Sequence, residues 1–489
     1  MKRVTIDPIT RLEGHGKIEI FLDETGNVAN AYLQVPELRG FERFCMGRPA
    51  EELPRIVPRI CGVCPGAHHM ASAKCVDDLY HVEPPVSARK LRELFYCAHI
   101  MHSHIAHFYL LAAPDFVMGP TADPAERNVL GMIGKVGLDV VKDVMKHRGF
   151  AQDIQAMIGG KATHPVCALP GGMSKALNED ERRDIEQKAV SCLEFAQFSL
   201  KLFHDVVLGE KQYVDLIRSN SYSLKTYYMG MVDENNGLAF YDGDVRVIRP
   251  DGEEFLKFDG RDYLEHIEER TEPWTYLKFP YLKAVGWNGF VDGPDSGVYR
   301  VAPLARLNVA DGMATPLAQQ EYERLFDTLG GKPVHATLAN HWARLVEVLH
   351  VSERLVELSR DPQITSDDIR TIPTETPTVG VGVVEAPRGT LFHHYETDEE
   401  GFVTDVNLIV ATGNNHAAIC MSVRDAARGA ITHGNVSEGL LNMVEMAFRA
   451  YDPCIACATH SLPGRMPLTA TVYDWRGNLL REITRERQN

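Results

Sequence analysis

The sequence predicts an α+β fold that is mainly helical, with a central bundle of long helices, an N-terminal antiparallel sheet and a turn-rich β region. Three observations predict this fold class. Four long segments carry helical periodicity, short alternating runs open the chain, and turn sequences crowd residues 221–300. The composition nowhere changes sharply enough to indicate a linker, so we expect one large domain.

The N-terminal sheet is predicted from three short runs. Residues 4–6 and 17–21 alternate apolar and polar side chains, residues 23–27 have the composition of a turn, and residues 31–35 form a returning strand. Within residues 221–300, Asn-Gly, Asp-Gly and Pro-Asp-Gly sequences separate aromatic and β-branched runs. That pattern predicts short strands joined by turns.

The long helices are predicted at residues 86–112, 178–206, 337–359 and 437–451. The first has apolar residues on several faces, which indicates a central, buried position. It also carries four histidines, which we interpret as core or partner-facing residues with local hydrogen bonds: His99, His102, His104 and His107.

Composition and charge exclude several classes of protein. The formal charge of −16 argues against a nucleic-acid partner, because phosphates would be repelled. No apolar run reaches the roughly 18 residues of a membrane helix, and no apolar signal core opens the chain. Ten cysteines in such a chain predict a reducing compartment, and hence the cytoplasm.

Two cysteine pairs carry the chemistry. Cys61 and Cys64 lie near the start of the chain and Cys454 and Cys457 near its end, so only folding can bring them together. Converging, they would form a four-thiolate metal site. Because zinc motifs usually space their pairs by about 15–20 residues, structural zinc fits this separation poorly. The spacing alone leaves open a soft transition-metal centre, structural zinc and redox thiols.

The residue after the first cysteine pair and the six other cysteines show further local features. Pro65 suits the first turn of a helix, which places Cys64 at a helix N-terminus, where backbone dipoles stabilise a thiolate. The remaining cysteines show no pairing pattern and are expected to be small buried hydrophobic residues: Cys45, Cys75, Cys97, Cys167, Cys192 and Cys420.

The residues around both pairs resemble the signatures of the nickel–iron hydrogenase large (catalytic) subunit. These signatures are Arg-x-Cys-Gly-x-Cys-x-x-x-His at residues 59–68 and Asp-Pro-Cys-x-x-Cys-x-x-His at residues 452–460. Further segments agree in order, at residues 11–15, 39–42, 164–165, 170–172 and 385–389. The resemblance covers about residues 3–470. It implies that family's fold and the reversible heterolytic cleavage of dihydrogen.

The resemblance also implies the metal ligands. Cys61 and Cys454 would be terminal nickel ligands, and Cys64 and Cys457 would bridge nickel to an iron that carries carbon monoxide and cyanide. A separate Mg²⁺-like ion, or iron, would lie near two further residues, Glu42 and His460. A carboxylate suits such a hard cation, whereas a histidine is a less usual ligand.

Catalytic roles follow from the same resemblance. Heterolytic cleavage needs a Lewis acid and a base; the metals would be the acid, the thiolate of Cys454 the base, and Glu13 would take the proton onward. Arg388 would hang over the open metal face, between the carboxylates of Asp115 and Asp452. Its guanidinium is a rigid fork of donors that keeps its charge.

Three further residues would contact the metal centre. By the resemblance, His68 hydrogen-bonds a bridging thiolate, that of Cys64, which suits the need of buried thiolates for donors. Thr412 and Asn414 would donate to a cyanide. Their segment, Ala-Thr-Gly-Asn, departs from the Pro-Thr-Thr and Pro-Ser-Thr forms of the family.

The resemblance further implies processing and partners. Residues 1–460 would form the catalytic domain, and residues 461–489 an extension removed by a maturation endopeptidase. Electrons must leave singly, yet the clustered cysteines are used at the active site, so an iron–sulfur small subunit is required. The sequence most resembles the methyl-viologen-reducing branch, which delivers electrons to heterodisulfide reductase.

Three other functions are compatible with this fold. A bidirectional, nicotinamide-coupled hydrogenase resembles the chain slightly less closely. A regulatory hydrogen sensor would keep the cysteines but usually lacks the extension. The quinone-side subunit of respiratory complex I shares the fold without the metal, and the presence of all four cysteines argues against it.

Overall fold

The computed structural model describes residues 2–460, together with the backbone of two strands at residues 468–473 and 479–485. These two strands pair antiparallel with each other. The rest of the extension predicted at residues 461–489 lies outside the described residues. Within the described part of the chain, no helix combines the length and apolarity needed to cross a membrane.

Helices dominate the structure. In chain order they are α1 (Phe41–Cys45), α2 (Leu53–Ile56), α3 (Pro65–Leu79), α4 (Val86–Ala106), α5 (Ala113–Val117), α6 (Val129–Val136), α7 (Leu138–Gly159), α8 (Glu179–Phe203), α9 (Lys211–Ile217), α10 (Tyr263–His266), α11 (Pro303–Val309), α12 (Pro316–Leu329), α13 (Asn340–Arg360), α14 (Ala411–Asn414), α15 (His416–Ala430), α16 (Glu438–Arg449) and α17 (Ile455–Ala458).

The strands form small, separate sheets. They are β1 (Lys2–Ile6), β2 (Lys17–Leu22), β3 (Val28–Gln34), β4 (Ala168–Leu169), β5 (Gly172–Met173), β6 (Tyr227–Val232), β7 (Asp244–Ile248), β8 (Glu254–Phe258), β9 (Ile267–Arg270), β10 (Phe279–Leu282), β11 (Tyr299–Arg300), β12 (Val379–Ala386), β13 (Gly389–Thr397), β14 (Val403–Ile409), β15 (Leu468–Tyr473) and β16 (Leu479–Arg485).

The predicted fold class is confirmed. Strands β1, β2 and β3 pair antiparallel in that order, as the alternation predicts. The turn-rich region folds into β6–β11, where β11, β6, β7 and β8 form one four-stranded sheet. The central bundle consists of α4, α7, α8 and α13, which pack on one another.

The predicted long helices begin and end close to their expected positions. The first continues past α4 as a π-helical segment, His107–Ala112, into α5. Asn178 caps α8 in a capping box with Glu181, because each side chain bonds the other residue's backbone N–H. Ser437 caps α16 through a single side-chain hydrogen bond, which it accepts from the backbone N–H of Leu440.

The histidines of α4 and of the π-helical segment after it are buried in the core, as predicted. His99 contacts the side chain of Gln155, and His104 contacts that of Glu347. His107 donates to the backbone carbonyl of Arg449. The scattered cysteines are likewise all buried and free.

Strand β12 lies directly on helix α3, and two glycines make this contact possible. A Cβ atom at Gly380 would lie 2.3 Å from the carbonyl oxygen of Cys75, and one at Gly382 would lie 2.1 Å from that of Ala71. Only glycine permits so close an approach. The strand therefore runs along α3 toward its N-terminal end, which brings the β12–β13 turn to Cys64.

Candidate metal centre

The four motif cysteines converge in one buried cluster. Cys64 and Cys454 precede the first residues of α3 and α17, respectively, and all four Sγ atoms lie within 4.8 Å of one another. The Sγ–Sγ distances are 3.2 Å for Cys61 and Cys454, 3.0 Å for Cys64 and Cys457, and 3.1 Å for Cys454 and Cys457. Since a disulfide bond is about 2.05 Å long, these are free thiols around a common centre.

This cluster fits a soft metal ion. The neighbouring thiols lower the pKa of Cys61 well below its usual value, whereas burial raises the pKa of Cys454 and Cys457. Without a metal ion, the surroundings thus favour the thiolate form for only some of the four cysteines. A bound cation would favour the thiolate form for all four. Among the described residues, no other group of three or more histidine, cysteine or acidic side chains converges in this way.

Glu13 contacts the cluster directly. Its backbone carbonyl accepts a hydrogen bond from Ile455 N at 3.1 Å, which holds the two segments side by side. Its Oε2 atom accepts from Ala456 N and from the Cys454 thiol, each at 3.0 Å. Because Glu13 is half-buried and Cys454 is fully buried, the carboxylate connects the thiol with the protein exterior.

Arg388 is tied to the second cysteine segment. Its Nε donates to the Asp452 carbonyl at 2.6 Å, and its terminal nitrogen lies 2.9 Å from the Asp452 carboxylate. Both residues are buried, and Asp452 has a φ of 53°, a left-handed conformation that a non-glycine residue rarely adopts. This ion pair places a guanidinium beside Cys454, as the resemblance implies.

Sequence reasoning missed the residue that holds the Arg388 loop. Arg306, from α11, donates to the carbonyls of Ala386 at 2.8 Å and Pro387 at 3.2 Å. It also pairs with Glu385 at 2.8 Å and with Glu347 of α13 at 2.7 Å. All three charged side chains are completely buried. A lone arginine in a short, mostly apolar helix carries no signal of this role.

A small cavity opens at the cluster. Besides three of the cysteines, the residues that line it include three other predicted site residues, His68, Arg388 and Thr412. Apolar side chains and the cysteine sulfurs form the rest of the wall: Cys64, Ala386, Pro387, Leu391, Val410, Ala411, Cys454 and Cys457. Thr412 also accepts a hydrogen bond from Cys454 N at 3.0 Å.

His68 has a different partner from the one expected. Its Nδ1 lies 3.0 Å from Nε2 of His393, and its own Nε2 has no hydrogen-bond partner. The predicted hydrogen bond to Cys64 is therefore absent from the contacts of the described residues. His68 nevertheless borders the same cavity as Cys64.

Two other predicted site residues have their hydrogen bonds elsewhere. Asn414 accepts from the Tyr299 hydroxyl at 2.5 Å and donates to the Thr390 carbonyl at 2.8 Å, and it does not line the cavity. Asp115 accepts from Arg11 and from Arg449, each at 2.5 Å. Through Arg11, the Asp115 carboxylate therefore holds the segment that precedes Glu13. Among the described contacts, it makes none with Arg388.

Glu42 and His460 come together away from the cysteine cluster. A Glu42 carboxylate oxygen lies 3.6 Å from His460 Nε2, and both side chains are buried. The carbonyl oxygen of Leu408 lies 2.5 Å from the same Nε2, while Nδ1 contacts the carbonyl of Cys457 at 2.8 Å. Two acceptor oxygens thus face one ring nitrogen.

With this geometry in hand, the family can be identified. Residues 39–130 and 143–460 match the model of the nickel-dependent hydrogenases. The chain belongs to the nickel-dependent hydrogenase family. Residues 3–38 match a second model, described as HoxL-like. Of the three interpretations that the cysteine spacing left open, the family match favours the soft transition-metal centre over structural zinc and redox thiols.

Individual hydrogenases are similar over nearly the whole chain. It is 50% identical to an iron-sulfur subunit of the F420-non-reducing hydrogenase of Archaeoglobus profundus, with 99% of each chain covered. It is 39% identical to the NAD-reducing hydrogenase HoxS subunit beta of Cupriavidus necator, with 99% of this chain and 100% of the relative covered. This chain is the catalytic large subunit of a nickel–iron hydrogenase, an oxidoreductase that acts on dihydrogen.

Solved hydrogenase structures share the fold. An NAD⁺-reducing NiFe-hydrogenase in the H2-reduced state superposes with a TM-score of 0.88 at 38% identity, covering 94% of this chain and 100% of that chain. A Ni-Fe-Se hydrogenase from D. vulgaris Hildenborough superposes with a TM-score of 0.74 at 22% identity, over 94% of this chain and 100% of that chain.

Proposed function

We propose that this subunit cleaves dihydrogen reversibly and heterolytically at a nickel–iron centre held by its four cysteines. One observation carries the proposal: the convergence of four buried thiols with the Glu13 carboxylate hydrogen-bonded to one of them. Cys61 and Cys454 are proposed as terminal nickel ligands, and Cys64 and Cys457 as bridges to iron. The bound metals, with carbon monoxide and cyanide on iron, would supply the Lewis acid.

The proton leaves through the chain's own groups. Cys454 Sγ is the proposed first base, since its thiol already donates to Glu13 Oε2 at 3.0 Å. Glu13 then carries the proton outward, because it is the half-buried neighbour of a fully buried thiol. Proton transfer needs this hydrogen-bond reach between donor and acceptor.

Arg388 and the cavity walls prepare the site for an uncharged substrate. The guanidinium places fixed positive charge beside thiolates, and Asp452 holds its orientation through two contacts. The mostly apolar wall excludes water, which strengthens these interactions. We also propose Thr412 as a donor to an iron-bound cyanide. The hydrogen bonds of Asn414 to Tyr299 and Thr390 make it a weaker candidate.

A second cation is proposed between Glu42 and His460. If His460 donates through Nδ1–H to the carbonyl of Cys457, its Nε2 carries no hydrogen. The lone pair of that nitrogen then faces the Leu408 carbonyl and the Glu42 carboxylate. Three acceptors that face one another in a buried place are stabilised by a positive ion. Two oxygens among them suit Mg²⁺, and the nitrogen also permits iron.

Electrons are proposed to leave through an iron–sulfur small subunit. Outside the metal cluster the six other cysteines are buried singly, so they do not form an electron relay within the described chain. The similarity to F420-non-reducing hydrogenases supports a cytoplasmic complex of the heterodisulfide-reductase type. The similarity to an NAD-reducing hydrogenase supports nicotinamide coupling as the second candidate.

Maturation is proposed to end the catalytic domain at His460. Residues 1–460 would then form one domain, because its metal ligands come from both ends of this range. Removal of residues 461–489 by an endopeptidase would leave His460, a proposed cation ligand, as the C-terminal residue.

Isotope exchange tests the proposed function without requiring an electron acceptor. The purified complex, incubated with deuterium gas in ordinary water, should form HD, because heterolysis exchanges one atom with solvent protons. It should also reduce viologen dyes with dihydrogen. Exchange without dye reduction would indicate a sensor-like protein, and the absence of both from a nickel-loaded complex would contradict the proposal.

A further inference from the structure

A buried chain of side chains extends from the metal cavity into the core. His68 Nδ1 lies 3.0 Å from Nε2 of His393, and His393 Nδ1 lies 2.6 Å from the Tyr395 hydroxyl. That hydroxyl donates to Oγ of Ser72 at 2.9 Å. At the other end, His68 Nε2 has no partner, although His68 borders the cavity beside Cys64.

This chain is closed to solvent. All four of its residues have no measurable exposure, and each lies on α3 or β13, which pack together. Alternation along β13 produces the arrangement, since His393 and Tyr395 share one face of the strand while His394 faces the other way. A closed chain has no exit for a proton, so it does not serve as a second release route.

The chain can exist in two hydrogen-bond directions. A neutral imidazole has one N–H and one bare nitrogen, so each ring fixes the tautomer of the next. If Tyr395 donates to Ser72, it accepts from His393, and His68 is left with a bare Nε2 at the cavity. If Tyr395 instead donates to His393, both hydrogen bonds of His393 reverse and His68 presents Nε2–H. Burial lowers the pKa of His393 well below its usual value, which keeps that ring neutral.

We propose that His393 and Tyr395 are positioning residues that hold His68 as the Nε2–H tautomer, so that it donates to a thiolate of the metal centre. The inference rests on the proposed function, because metal-bound thiolates are the groups that select a donor over a lone pair. Outer partners commonly fix a histidine tautomer at metal sites. The hydrogen-bond direction then runs from the Tyr395 hydroxyl through His393 to His68, and Ser72, to which that hydroxyl donates in the structure, is the competing acceptor.

Infrared spectroscopy of the assembled complex tests this assignment. Tyr395→Phe keeps the ring and removes the hydroxyl that donates to His393, so His68 loses its preference for Nε2–H. A thiolate without that hydrogen bond donates more electron density to iron. The carbon monoxide band should therefore move to lower wavenumber while nickel content stays unchanged.

A matched control uses the opposite face of β13. Tyr263 also directs its hydroxyl to a histidine, His394, at 3.0 Å, and is likewise buried. Tyr263→Phe should leave the band where it is. In a His68→Gln background, Tyr395→Phe should cause no further shift, because the effect acts through His68. An equal shift in both backgrounds would overturn the proposal.

Ser72→Ala provides a second variant that keeps the proposal testable if Tyr395→Phe loses nickel. Removing the serine deprives the Tyr395 hydroxyl of its competing acceptor, so donation to His393 should persist. The band should stay or move to higher wavenumber, and a shift to lower wavenumber would contradict the chain. Absence of bands from nickel-loaded wild-type protein would instead refute the proposed iron ligands.

Discussion

The Glu13 carboxylate lies 3.0 Å from the sulfur of Cys454 and accepts the Ala456 backbone N–H through the same oxygen. The two residues come from opposite ends of the chain. Their contact joins the proposed first base to a half-buried acid, without involving any other cysteine of the cluster. Proton release should therefore be separable from metal binding.

Replacement of this carboxylate tests the separation. Glu13→Gln keeps the shape and most hydrogen bonds but cannot accept a proton at neutral pH. Nickel and iron contents should remain at wild-type levels, while dihydrogen oxidation and deuterium exchange should fall by about 10²–10⁴-fold. The exposed Glu24→Gln is the control. Wild-type turnover per nickel in Glu13→Gln would remove Glu13 from the proton route.

The four cysteines should be equally necessary for metal retention. Nickel binding should be abolished by each single replacement with alanine: Cys61→Ala, Cys64→Ala, Cys454→Ala and Cys457→Ala. The three remaining thiolates supply too little negative charge and too few ligands to hold both metals. Elemental analysis measures the nickel content. Cys192→Ala, also buried but distant in the chain, should retain nickel. Near-normal nickel in any of the four variants would exclude that cysteine as a ligand.

Arg306 should act on catalysis through Arg388. Arg306→Lys keeps a positive charge but loses the fork that holds two carbonyls of the Ala386–Arg388 turn. Turnover per nickel should fall about 10²-fold, the cost of a misplaced catalytic group. Arg92→Lys, which changes a fully buried arginine paired with Asp77, should leave turnover per nickel unchanged.

A double-mutant cycle separates this positioning role from a general structural one. In an Arg388→Lys background, Arg306→Lys should lower turnover no further, because the group that it positions is already lost. Full additivity of the two losses would mean that Arg306 affects the site by another route.

The same network predicts a pH dependence of stability. Burial alone would raise the pKa of Glu347, but the Arg306 guanidinium lowers that pKa to about 2. The ionised carboxylate thus contributes stability that is complete above its unfolded pKa of about 4.3 and is lost as the pH falls through about 2. The difference in thermal midpoint between wild type and Glu347→Gln should shrink over this interval. A difference that is constant from pH 7 to pH 2 would exclude an ionised Glu347.

Processing of the C-terminus can be measured directly. If maturation removes residues 461–489, intact-mass spectrometry of active enzyme should show a chain that ends at His460. Inactive, nickel-free protein should keep the extension. Full activity in the uncleaved chain would show that activity does not require cleavage. His460 could then bind the second cation only through its side chain.

The sequence predicted most of the architecture because its signals are local. Helix periodicity and the Asn178 cap located α8, and alternation located the first sheet. Helix α7 was not predicted, because its apolar residues spread around the helix and because Gly149, a poor helix former, lies near its middle. The three-stranded sheet of β12, β13 and β14 was also missed. The alternation of valine and glycine at its start is explained by the close contact of β12 with α3.

At the metal centre, the predicted residues that lie close together belong to motifs. They are the four cysteines, Glu13, Arg388 and Asp452. Arg306, His393 and Tyr395 could not be predicted, because their roles depend on partners from distant segments: Arg306 on two glutamates, and the β13 pair on α3. The partners of Asp115 became evident only when Arg11 and Arg449 were seen to flank it.

The central claim is that the four-cysteine cluster holds a nickel–iron centre whose iron carries carbon monoxide and cyanide. Infrared absorption of the purified, nickel-loaded complex in the carbonyl–cyanide region tests it most directly, because no side chain absorbs strongly there. We expect one carbonyl band with accompanying cyanide bands, all lost in Cys64→Ala and Cys457→Ala. A nickel-loaded complex that shows none of these bands would contradict the assignment.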